Sequence, residues 1–107
     1  MGWADNYIKQ LQEGKTIQFR PRGNSMEPLI KSGQLVTLEP VTLDENGFID
    51  NIFIGDVVLC KVQGNQYLHK VLAINESTGS FQIGNNKGHI NGWCKLNIYG
   101  VVTKIGK

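Results

Sequence analysis

The feature that most limits what this chain can fold into is its punctuation. Thirteen glycines against three prolines fall largely between short runs in which apolar and polar residues alternate. Alternation is the period of a strand with one buried face, and glycine-rich breaks between such runs mark tight turns. The expectation is a mainly β fold, a small coiled sheet or partly open barrel with little helix. One stretch departs from this period. Trp3, Tyr7, Ile8 and Leu11 recur at helical spacing and Gly14 is a natural stop, which predicts a helix over about residues 3–13 packed against the sheet. Strands are expected at Thr16–Arg20, at Gln34–Glu39 (ended by Pro40), at Asp56–Gln63, at Gln66–Ile74, at Ser80–Ile83 and at Ile98–Ile105. Gly64-Asn65 reads as the two-residue turn of a hairpin. Val41–Asn51, with its Asn46-Gly47 pair, reads as a solvated excursion between strands, with a substrate-contacting flap as the alternative. At 107 residues the chain is large enough for one core and one domain, 1–107.

Charge and composition exclude several classes. A net charge of +2 and the lack of a Lys/Arg cluster argue against a nucleic-acid partner. No run approaches the ~20 apolar residues of a membrane span. Cys60, His69, His89 and Cys94 lack the short spacings of zinc ligands, and no cofactor is expected. The two cysteines suit a reducing compartment, with a single disulfide left open. Trp93, Tyr99 and Phe81 read as core aromatics rather than base-stacking platforms.

Chemistry concentrates in Gly23-Asn24-Ser25-Met26-Glu27-Pro28, between the strand ending near Arg20 and the apolar Leu29-Ile30. A serine in a glycine-preceded corner at a strand end is where a nucleophile can face a cleft with free backbone N–H groups nearby. In Tyr67-Leu68-His69-Lys70-Val71-Leu72, alternate side chains face opposite ways. His69 and Lys70 therefore do not both point at Ser25 unless a bulge intervenes.

Gly-x-Ser-Met-x-Pro, with Gly55-Asp56-Val57-Val58-Leu59 further on, resembles the serine peptidases typified by signal peptidase I and the self-cleaving domains of SOS-type repressors. The apolar-His-Lys-apolar segment and Phe81-Gln82-Ile83-Gly84-Asn85-Asn86 resemble later blocks of the same superfamily, in order, so the resemblance covers about Phe19 to Ile105. It implies Ser25 as nucleophile and His69 as general base, the histidine form found in endoplasmic-reticulum signal peptidase, with Lys70 as the alternative base. It also implies that Asn85, in place of an aspartate, orients the imidazole. No Asp or Glu follows Glu76, so a Ser-His dyad with slow turnover is expected. Gly23 stands where signal peptidases commonly have a serine, as in the repressors, which implies an oxyanion hole made from the N–H groups of Asn24 and Ser25. Met26 is expected as cleft wall or core, and Pro28 as fixing the exit of the turn. Signal peptidases are usually membrane-tethered. The expectation here is a cytoplasmic peptidase acting on a peptide or protein, or the same fold with catalysis lost, retained as a peptide-binding module.

Overall fold

The computed structural model describes residues 2–106. One helix, α1 (Asp5–Gln12), precedes seven strands: β1 (Ile17–Phe19), β2 (Val36–Pro40), β3 (Val57–Val62), β4 (Asn65–Asn75), β5 (Ser80–Gly84), β6 (Ile90–Cys94) and β7 (Ile98–Ile105). All pairings are antiparallel, in the order β1-β2-β7-β3-β4-β5-β6. The fold is mainly β, as the alternation predicts. The sheet coils but stays open, with β1 and β6 as its free edges.

β3 lies in the middle, and its sequence explains why. Val57, Val58, Leu59, Cys60 and Val62 are all buried, the near-continuous apolar run of a strand covered on both faces. Val57 and Leu59 join a core with Ile8, Leu11, Phe19, Met26 and Leu38. Val58, Cys60 and Val62 join a second core with Val71, Phe81, Ile83 and Ile98. Fully burying a side chain such as Leu38 or Leu59 contributes about 1.5–3 kcal/mol relative to exposure. Cys60 and Cys94 are free thiols within the second core. Their mutual hydrogen bond, reinforced by burial, pushes the Cys60 thiol up.

α1 is shorter than its periodic pattern suggested. A helix of eight residues is marginal alone, and no side chain caps its start. It is held by Ile8 and Leu11 against the sheet and by the Ala4 N–H donating to Gln66 Oε1 at 2.8 Å. Gly100 of β7 makes the close approach possible. A Cβ there would lie 2.8 Å from Leu11 Cδ1 and 3.1 Å from the Glu39 carbonyl oxygen. Trp3 lies ahead of the helix and is 54% exposed, its ring resting against Tyr7 and Phe19 and not buried in the core.

Two further expectations shift. The β3–β4 turn is Gln63-Gly64, one residue earlier than Gly64-Asn65, because Val62 pairs with Asn65. Gln63 and Gly64 have φ of 51° and 84°, both in the left-handed region that a type I′ turn requires. Gln63→Asn is therefore expected to stabilise the fold by about 0.5–1 kcal/mol, since asparagine tolerates that region better. An unchanged or lowered urea midpoint would refute this. Second, Ile90–Cys94, which lies outside the strands expected from the sequence, forms β6, joined to β5 by a short loop. The excursion between Val41 and Asn51 is organised around Asp44, whose Oδ1 accepts the Asn46 and Phe48 N–H groups.

Candidate active site

The chain leaves β1 at Phe19 and turns through Pro21-Arg22-Gly23. Gly23 has φ of 109°, a conformation that side-chain-bearing residues rarely adopt, and its N–H donates to Ser32 Oγ at 3.1 Å. A run of turns follows. The Glu27 N–H donates to the Asn24 carbonyl and the Ile30 N–H to that of Met26, while Met26 and Ile30 are buried in the first core. These two apolar anchors hold the corner down and leave Ser25 at its surface, half-buried. Among the described residues, no partner engages the N–H of Asn24 or Ser25. Both stay available as donors, which is what an oxyanion hole needs. Pro28 follows a cis Glu27–Pro28 bond and is exposed.

His69 comes from the middle of β4. Its Nε2 lies 3.2 Å from Ser25 Oγ, and its Nδ1 lies 2.7 Å from Asn91 Oδ1. An amide oxygen can only accept, so Nδ1 carries the proton and Nε2 is left with a free lone pair toward the serine hydroxyl. Tyr67, two residues earlier on the same face, stacks on the imidazole at 4.9 Å between ring centroids. The ring is thus held at both nitrogens and on its face, the arrangement of a general base beside a nucleophile.

Burial is the main influence on His69 and lowers its pKa from 6.5. The Asn91 hydrogen bond opposes this shift, and His89 adds to it. The imidazole is accordingly neutral at pH 7. If His69 acts as base, activity falls as pH drops and the ring protonates, with the midpoint of that acid limb below 6.5. The sign for stability is the same. The unfolded chain binds the proton more readily, so this contribution is present above pH 6.5 and lost as pH falls through the folded-state value. A pH profile of kcat/KM with an uncharged peptide, read beside an NMR titration of His69, checks both; a midpoint above 6.5 would contradict the geometry.

Asn85 does not orient His69, contrary to expectation. Its Oδ1 accepts the N–H groups of Lys87 and His89 at 2.8 and 3.0 Å, and its own N–H donates to the His89 carbonyl. Asn85 is therefore spent on closing the β5–β6 loop, and Gly84 pairs with Ile90. That pairing brings Asn91, the next residue, to His69. Asn91 is the residue that sequence reasoning passed over. The signal for it was the Asn-Asn-Lys-Gly turn, which read as the tip of a hairpin sets the register of β6.

Lys70 makes no hydrogen bond to Ser25 among the described residues. Its Nζ donates to Asn86 Oδ1 at 2.9 Å. Asn86 in turn donates its backbone N–H to the Ser25 carbonyl at 2.9 Å and its Nδ2 to the Glu27 carbonyl at 3.2 Å. Asn86 thus ties the serine corner to the β5–β6 loop, and Lys70 steadies the tie. The structure brings Ser25 and His69 together with Asn91, places Gly23, Asn24 and Met26 around them, and, among the described residues, gives Asn85, Lys70 and Pro28 no side-chain hydrogen bond to the pair.

Ser25 and His69 open onto a cleft of about 440 Å³, a size typical of ligand-binding pockets. Gly23, Met26, Tyr67 and Leu68 line it near the pair. Among the described residues, no group of three or more His, Cys, Asp or Glu side chains is placed to hold a metal ion, and no helix is long and apolar enough to cross a membrane. Comparisons with protein-family models, curated proteins and solved structures found no match.

Proposed function

We propose that this domain is a serine endopeptidase of the signal-peptidase and SOS-repressor type, acting through a Ser25–His69 dyad. The observation that carries the reading is the chain Ser25 Oγ, His69, Asn91, with contacts of 3.2 and 2.7 Å at the two ring nitrogens. Ser25 Oγ attacks the scissile carbonyl carbon while its proton passes to His69 Nε2. The resulting oxyanion is met by the N–H groups of Asn24 and Ser25. Collapse breaks the C–N bond, and His69 returns the proton to the leaving amine. Water then attacks the acyl ester, giving its proton to His69, and the acid departs as Ser25 regains its hydrogen. Asn91 fixes the tautomer but supplies no charge to the imidazolium that forms, so turnover is slow beside that of enzymes with an acid at this place. That neutrality also favours the second reading, a peptide-binding module.

An active-site-directed fluorophosphonate separates the two. The expected result is one adduct per chain, mapped to Ser25 by peptide mass spectrometry and lost on prior protonation of His69 at low pH. No adduct, or an adduct on other serines alone, would overturn the peptidase reading.

A further inference from the structure

The walls of the cleft beyond the dyad have a definite chemistry. Trp3, Tyr7 and Phe19 form one side. Tyr7 stacks on Phe19 with centroids 4.4 Å apart and 17° between planes, and Trp3 packs against Phe19 at 5.9 Å. The buried side chains of Met26, Ile30 and Leu68 make the floor. Such a surface gains most by covering a large apolar side chain, and a methyl group would leave most of the 440 Å³ unfilled. Along the rim are Arg22 and Lys31, and among the described residues no Asp or Glu lines this cleft. A one-signed rim over a low-dielectric wall attracts the opposite charge. At Trp3, Gln66 and Tyr67 the cleft meets a second, more polar depression along the β3–β4 turn, which Asp5 and Lys61 line with opposite charges.

We infer that the substrate is an extended peptide segment with a bulky apolar side chain beside the scissile bond and an acidic residue within a few positions of it. The inference rests on the dyad reading for the location of the scissile bond, and on the cleft walls for the rest. The aromatic wall takes the apolar side chain, and Arg22 and Lys31 take the carboxylate. Exposed Trp3 can cover the apolar group once it is seated, since its indole is 54% exposed in the free protein.

The test uses the whole domain and a synthetic peptide library varied in size and charge around a central position. Cleavage by wild type is read by mass spectrometry, and binding to Ser25→Ala by fluorescence anisotropy. The expected result is cleavage beside Phe, Leu, Met or Tyr with an acidic neighbour. Arg22→Glu with Lys31→Glu should lower kcat/KM for acidic peptides by tenfold or more and raise it for basic ones. Binding of acidic, apolar-centred peptides without cleavage would support the recognition and overturn the peptidase reading. Cleavage confined to small residues with no acidic bias would overturn this inference and leave the peptidase reading standing. Neither cleavage nor binding would overturn both.

Discussion

Ser25→Ala is expected to lower kcat/KM for a cleaved peptide by about 10³-fold, and His69→Gln by a similar factor. The double variant should be little slower than either single one, because nucleophile and base act as one unit and removing either removes the step they share. The structure gives reason to expect intact folds. Among the described residues, Ser25 Oγ has His69 as its hydrogen-bonding partner, so its loss opens no buried network. Glutamine at 69 keeps much of the volume beside Tyr67 and retains an amide hydrogen for Asn91. Melting curves superimposable on wild type, with activity gone, are the outcome to look for. Additive losses would mean that Ser25 and His69 serve separate purposes, and retained cleavage in Ser25→Ala would end the mechanism.

The second large effect runs the other way. Asn91→Asp places a carboxylate where an amide oxygen now lies 2.7 Å from His69 Nδ1. The charge favours the protonated imidazole, which forms as Ser25 gives up its proton, so turnover at neutral pH should rise about tenfold or more. The same charge raises the His69 pKa, moving the acid limb of the profile upward. Rate and limb should therefore shift together, and a rate gain without a shifted limb would assign the gain to something other than the imidazole. Asn91→Leu removes the acceptor, frees the tautomer, and is expected to slow cleavage about tenfold.

Much of this architecture was legible in the sequence because its signals are local. The apolar run at residues 57–62, the strand-like runs around it and the glycine breaks between them gave the mainly β fold, and the Trp3–Leu11 spacing gave the helix. The Ser25 corner and His69 were legible as a motif. What local reading could not supply was register. Whether Asn85 or Asn91 meets His69 depends on how β5 and β6 pair, and a loop of unknown length hides that. The same holds for the β3–β4 turn, where a shift of one residue changes which positions carry positive φ. Trp3 shows the limit of periodicity. It sits at a spacing that fits the helix face, yet the helix begins after it and its ring goes to the cleft. Lys70 was ambiguous for a different reason. Its side chain ends on Asn86, which is bonded to the Ser25 and Glu27 carbonyls, so facing the opposite way from His69 along β4 did not keep it from supporting the serine corner.

The sheet has β6 at its outer edge, joined through hydrogen bonds to β5 alone, and the Asn91 end of that strand is the less buried one. An edge strand opens by breaking one ladder, whereas β3 opens only when both cores come apart, so the edge and the middle of the sheet differ in how often they breathe. The imidazole's anchor and the Asn86 tie both lie on this edge hairpin. The Ser25–His69–Asn91 arrangement therefore has the local stability of that hairpin, not the global stability of the domain. On warming, amide protection at Ile90–Gly92 and peptide cleavage should vanish together while the near-ultraviolet signature of the packed cores persists.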